Sequence, residues 1–147
     1  MINGTRYNSN RLERYFGFTH FRQEPPAADG SSLQENIVKA KMCGKPLFAI
    51  LPTGGKSLCF QLPALVRYQR RGVLTIVVSP LQALMKDQVD NLRNKTGAPN
   101  AVALSGMLTA PERGEVLQGI QNGDIALLYV SPEQLRSLSF QKATGIR

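Results

Sequence analysis

Four short aliphatic or β-branched runs recur along the chain, at residues 47–51, 73–78, 101–104 and 125–130. Longer stretches with helical spacing separate them. Residues 80–95 place Leu81, Leu84, Met85, Val89 and Leu92 on one face, at offsets of 3, 4, 8 and 11 from Leu81. That is the stripe of an amphipathic helix. Ser79 and Pro80 are suited to be its N-cap and first helical residue. Thr109-Ala110-Pro111-Glu112 has capping-box spacing and predicts a further helix ending near Asn122-Gly123. Ser131-Pro132-Glu133 repeats the cap-plus-proline entry after the last run. Strands that alternate with helices predict an α/β fold, a parallel sheet flanked by helices with right-handed crossovers. Continuously apolar strands agree, because such sheets are covered on both faces. Two segments interrupt the order. Residues 23–32 carry Pro25-Pro26, Asp29-Gly30 and two serines, the composition of a loop or insertion. Pro63 falls inside the helix expected after the first run, and should kink or split it near Gln61.

A chain of 147 residues predicts one domain with a real core. Its 42% hydrophobic and 19% charged content is that of a soluble globular protein. No apolar run approaches the roughly 20 residues that span a bilayer, so no membrane association is expected. Cys43 and Cys59 have neither a Cys-x-x-Cys partner nor metal-ligand spacing, and are expected to be reduced, partly buried thiols of a cytoplasmic protein. The net charge of +8 is uneven: residues 1–71 hold 11 Lys/Arg against 4 Asp/Glu, residues 72–147 hold 7 against 6. A basic half suits a polyanion, nucleotide or nucleic acid; solubility alone explains it equally well.

The first aliphatic run leads into Leu51-Pro52-Thr53-Gly54-Gly55-Lys56-Ser57 and then an apolar helix pattern. A strand, a glycine turn, Lys-Ser and a helix make a phosphate cradle. Backbone N–H groups and the helix N-terminus face the anion, the lysine reaches the outer phosphates, and the serine hydroxyl can hold Mg²⁺. The general spacing G-x-x-x-x-G-K-[ST] is not met, since Ile50 stands five residues before Gly55. The motif by itself is weak.

Its neighbours give it meaning. Tyr15-Phe16-Gly17-Phe18-Thr19-His20-Phe21-Arg22 precedes the loop, and Ser57-Leu58-Cys59-Phe60-Gln61-Leu62-Pro63-Ala64-Leu65 follows its lysine. Then come residues 78–88, Val-Ser-Pro-Leu-Gln-Ala-Leu-Met-Lys-Asp-Gln, and 128–135, Leu-Tyr-Val-Ser-Pro-Glu-Gln-Leu. This ordered set resembles the start of RecQ-type DNA helicases of superfamily 2, over roughly residues 12–140. The resemblance implies a partial RecA-like P-loop domain, with residues 1–22 for adenine recognition, 23–33 an insertion, and 34–147 the α/β core. It implies ATP and Mg²⁺ as cofactors, single-stranded or partly duplex DNA as partner, and 3′ to 5′ unwinding driven by ATP hydrolysis.

Site residues carry over by position. Phe18 and Arg22 would sandwich the adenine, and Gln34 would read its edge. Thr53, Gly54, Gly55, Lys56 and Ser57 would hold the phosphates, with Ser57 on Mg²⁺ and Lys56 neutralising charge on the transferring group. Ser79, Pro80 and Leu81, with Ser131, Pro132 and Glu133, would line the single-strand track through hydroxyls and helix N-termini. Gln88 and Lys86 are weaker candidates there, for which solvated helix positions are an equal reading. Ser79 and Ser131 can also be plain N-caps. His20, the only histidine, reads as surface packing.

The chain departs from the family in three places. The family's loop is Pro-Thr-Gly-Gly-Gly-Lys-Ser, one glycine longer, which predicts weakened ATP binding here. About nine extra residues separate Arg22 from Gln34. No Asp-Glu pair occurs in the sequence, and a second RecA-like domain is absent. An inactive fragment is therefore expected, its phosphate-loop strand lacking neighbours. The alternative is a truncated module that binds nucleotide or DNA without turnover. A small-molecule P-loop kinase would need an arginine-rich lid that the chain does not show.

Overall fold

The computed structural model describes residues 4–51, 55–98 and 100–146. The chain forms two compact units, Met1–Val66 and Arg67–Arg147.

The first unit is helical. It contains α1 (Gly4–Phe16), α2 (Leu33–Met42) and most of α3 (Lys56–Arg71), whose last turn belongs to the second unit. Leu12 of α1, Phe21, Val38 of α2, and Leu58, Leu62 and Val66 of α3 form its core, with Tyr15, Phe16 and Met42 packed around them. The spacing of Leu58, Leu62 and Val66 puts all three on one side of α3. Ser32 caps α2, its Oγ accepting from the Glu35 N–H at 3.2 Å. Lys39 and Glu35 pair one turn apart at 2.9 Å.

Two expectations fail in this unit. Pro63 does not split α3, which runs unbroken from Lys56 to Arg71. An interior proline costs about 3 kcal/mol. Burying Leu58, Leu62 and Val66 at about 1.5–3 kcal/mol each offsets that cost. Residues 47–51 form no strand: 45–50 are irregular, and Phe48 and Ile50 are 90% and 81% exposed. A strand needs a neighbour for its backbone N–H and C=O groups, and no described strand lies alongside this run. Hydrophobicity alone does not make one.

The second unit holds the sheet. Strands β1 (Thr75–Val78), β2 (Ala101–Leu104) and β3 (Leu127–Val130) pair in the order β1-β3-β2, all parallel. The central strand β3 is buried throughout. Its neighbours extend the ladder, Ser79 N–H donating to the Val130 carbonyl at 3.0 Å and Ser131 N–H to that of Leu104 at 3.4 Å. Between the strands run α4 (Gln82–Thr96) and α5 (Ala110–Asn122); a 3-10 helix (Pro132–Arg136) and α6 (Leu138–Thr144) follow β3. Ile76, Val102, Leu104, Leu128 and Val130 share one sheet face with residues of α5 and α6, among them Ile120 and Phe140. Met85, Val89 and Leu92 are the buried residues of α4, which by the crossover rule covers the opposite face.

Here the sequence expectations hold for three of the four strands and for parallel pairing. The Thr109–Glu112 capping box forms: Thr109 Oγ1 accepts from the Glu112 N–H, and the Thr109 N–H donates to Glu112 Oε2 at 2.8 Å. Helix α4 begins later than expected. Leu81, not Ser79, is its N-cap, because Ser79 is held extended by its ladder bond to Val130. The Ser131-Pro132 entry opens a 3-10 helix rather than an α-helix. Arg113 ties this segment down, its guanidinium donating to Gln134 Oε1, to Ser137 Oγ at 2.9 Å and to Ser139 Oγ at 3.1 Å.

Two outcomes follow. Arg113→Ala leaves the Gln134, Ser137 and Ser139 oxygens without this donor; limited proteolysis is expected to cut residues 132–139 faster than in the parent while the sheet stays folded. The Thr109 hydroxyl and N–H hold the Glu112 carboxyl below its ordinary value of 4.5. A depressed carboxylate contributes stability above its unfolded value, lost as pH falls through the folded one. Thermal melts are therefore expected to weaken below about pH 4.5, and Glu112→Gln to remove that part of the pH dependence.

Candidate nucleotide and strand-track site

The first unit gathers three of the expected nucleotide residues. Gln34, only 7% exposed, sits in the first turn of α2. Its Oε1 accepts from the Arg22 N–H at 2.9 Å, and its Nε2 donates to the Gly55 carbonyl at 2.9 Å. One amide thus joins the segment before α2 to the end of the phosphate loop. It retains a second N–H and a second lone pair. Gly55 has φ of +79°, and a Cβ there would lie 2.8 Å from Gln34 Nε2. Glycine is required on both counts. The Cys59 thiol also donates to the Gly55 carbonyl, at 3.6 Å, and burial pushes its pKa up to about 11. Cys59 is buried as expected; Cys43 is exposed rather than partly buried.

Residues 23–31 do not keep Arg22 from Gln34, because they close on themselves. Pro26 and Ser32 form an antiparallel bridge, and Ala27 N–H donates to the Ser31 carbonyl at 2.8 Å. The Ser31 hydroxyl and N–H both donate to Asp29, whose carboxyl they hold below its ordinary range. At the base of this loop Ser32 Oγ donates to the Arg22 carbonyl at 2.6 Å. Ser32 is therefore a positioning residue that the sequence reading missed. Its signal was the capping-box spacing Ser32-x-x-Glu35 ahead of Ile37 and Val38.

Phe18 is 49% exposed. The side chain of Arg22 is exposed at the surface, its Cδ 3.7 Å from the Cβ position of Gly55. Lys56 is exposed at the first position of α3, and Ser57 is half-buried beside it. Thr53 and Gly54 lie outside the described residues. No group of three or more His, Cys, Asp or Glu poised for a metal occurs among the described residues.

The second unit gathers the other set. Val78 and Val130 are register partners, so Ser79-Pro80-Leu81 and Ser131-Pro132-Glu133 leave the carboxyl ends of adjacent parallel strands side by side. Ligands of open α/β sheets bind at that end. Pro80, Leu81, Pro132 and Glu133 are exposed, and Ser79 and Gln88 are half-buried. Ser131 is 1% exposed, and its hydroxyl is the chief group holding the Glu133 carboxyl below its ordinary value of 4.5. The expected side-chain caps are absent: Ser79 Oγ accepts from the Leu81 N–H at 3.4 Å, and Ser131 caps nothing with its hydroxyl. Gln82 Nε2 donates to Glu133 Oε1 at 3.4 Å, linking the two segments. Lys86 is exposed on α4.

Known proteins resemble this chain over most of its length. The family described as DEAD/DEAH box helicase matches residues 31–146. "ATP-dependent DNA helicase RecQ" of Synechocystis sp. is 42% identical over 127 residues, 86% of this chain and 23% of that protein. "Probable ATP-dependent DNA helicase RecS" of Bacillus subtilis is 42% identical over 127 residues, 86% of this chain and 22% of that protein. "ATP-dependent helicase SGS1" of Saccharomyces cerevisiae is 43% identical over 103 residues, 69% of this chain and 7% of that protein. The chain spans less than a quarter of the length of these relatives. No helix among the described residues is long and apolar enough to cross a membrane.

Gly55→Ala is expected to destabilise by more than the roughly 1–2 kcal/mol of left-handed strain alone. Gly30→Ala is the control, since Gly30 has φ of +80° but open space around it. Urea midpoints of the two variants should differ; equal losses would mean that the Gln34 contact contributes nothing.

Proposed function

We propose a function from one premise: the chain belongs to the DEAD/DEAH box helicase family, in its RecQ-type branch. In this reading it is the ATP-binding and strand-track part of an enzyme that couples ATP hydrolysis to 3′–5′ DNA unwinding. The observation that carries it is the Gln34 amide, bonded at once to Arg22 and to Gly55. Adenine-side and phosphate-side segments are thereby held at one place before any nucleotide arrives, which lowers the ordering cost of binding.

The residues fit the nucleotide. The Phe18 ring and Arg22 guanidinium provide two flat faces for a base, and the remaining Gln34 N–H and lone pair provide a donor and an acceptor for its edge. Lys56 adds positive charge at the N-terminus of α3, where the helix dipole already favours phosphate. Thr53, Gly54 and Gly55 contribute backbone N–H groups, and the Ser57 hydroxyl is the Mg²⁺ ligand. Bound Mg²⁺ supplies charge neutralisation across the outer phosphates.

On the DNA side, Ser79, Pro80 and Leu81 form one wall of a phosphate track and Ser131 and Pro132 the other. The Ser131 hydroxyl, which also serves the Glu133 carboxyl, is the donor of that wall. Glu133 repels phosphate, so its role is to position Gln82 rather than to contact DNA. Gln88 and Lys86 extend the track along α4. Without the acidic pair that activates water, the chain by itself is expected to bind without measurable turnover, in the cytoplasm and without a membrane partner.

The test is calorimetric titration of Mg–ATP into three proteins: the chain, Lys56→Ala, and a variant with one glycine inserted after Gly55. Binding by the chain, weakened at least about ten-fold in Lys56→Ala and strengthened by the insertion, is the expected result. Absence of binding in all three would remove the nucleotide site.

A further inference from the structure

Strand β2 is an edge strand, paired with β3 on one side and with no described strand on the other. The ladder fixes which of its backbone groups face out. The Asn100 carbonyl accepts from Ala126 and Leu127, and the Leu104 carbonyl from Ser131, so both point toward β3. By the two-residue alternation of a strand, the N–H and C=O of Ala101 and Ala103 point the other way. Arg93 Nε already donates to the Ala101 carbonyl at 2.9 Å. The N–H and C=O of Ala103 take no bond from a described residue and open into a slot of about 670 Å³.

The slot's walls differ in charge. Helices α4 and α5 cover opposite faces of the sheet, and both overhang the β2 edge. The α4 wall presents Lys86 and Arg93 on either side of Val89; the α5 wall presents Glu112 and Glu115 beside Val116. A strand laid against β2 sends alternate side chains to the two faces. One set would therefore meet cations and the other set anions.

We infer that this slot binds an extended peptide by strand addition to β2, with acidic side chains toward α4 and basic side chains toward α5. The peptide's backbone supplies the partner for the Ala103 N–H and C=O, and its alternating charge selects it over a peptide of either sign alone. This site uses none of the nucleotide residues; it shares Lys86 and Gln82 with the strand track but rests on the β2 edge, and it stands whether or not nucleotide or DNA binds.

The test is fluorescence anisotropy of a labelled peptide of about eight residues that alternates glutamate and lysine between terminal valines. The comparison peptide has the same composition with its glutamates and lysines in two blocks. The alternating peptide is expected to bind the full chain saturably, at least about ten-fold more tightly than the blocked one. Ala103→Pro removes the outward N–H at an edge position that tolerates proline, and is expected to weaken binding by a similar factor. Lys86→Glu, at an exposed helix position, is expected to do the same and decides the matter if Ala103→Pro does not fold. The proposal is overturned by absence of saturable binding, by equal affinity for the two peptides, or by variants that bind as the parent does. Sedimentation showing that the β2 edge is instead filled by a second copy of the chain would also overturn it.

Discussion

Every buried backbone N–H and C=O needs a partner, and the form of this chain follows from where partners are to be found. Strand β3 has them on both sides, and all four of its residues are buried. Residues 47–51 are as apolar as any strand here but pair with no described strand, and they stay irregular with Phe48 and Ile50 in solvent. The same requirement keeps Ser79 extended at the end of β1 and so delays the start of α4.

Side chains meet the requirement where secondary structure does not. Gln34 satisfies the Arg22 N–H and the Gly55 carbonyl, and Ser32 satisfies the Arg22 carbonyl. Together they fix the ends of a loop whose middle is closed by its own turn. That is how residues 23–31 leave the Arg22 segment beside Gly55. The cost of closing such a loop grows only slowly with its length. In the second unit Arg113 does comparable work for the 3-10 helix and α6, which have few backbone bonds of their own.

Much of this was legible in the sequence. The Thr109–Glu112 capping box, the end of α5 at Gly123 and three parallel strands follow from local chemistry and period, which do not depend on distant residues. The failures each came from something non-local. Pro63 is a helix breaker by its own geometry, yet α3 continues because its buried face outweighs one lost bond. The run at 47–51 pairs with no described strand, as the family resemblance led one to expect, although its own residues read as a strand. Helix α1 was overlooked although Leu12, Tyr15 and Phe16 carry helical spacing. At the site, motif order located Arg22, Gln34 and Gly55, but not the bonds that join them. Those depend on a fold of the insertion that composition describes only as a loop.

The central functional claim is that Gln34 holds the adenine-side and phosphate-side segments ready for a nucleotide. The most direct measurement is amide hydrogen exchange by mass spectrometry, with and without Mg–ATP. Slower exchange with nucleotide in peptides covering residues 18–22, 33–36 and 55–58, together and with one concentration dependence, is the predicted result. Unchanged exchange in those three segments at saturating nucleotide, or protection confined to one of them, would contradict it.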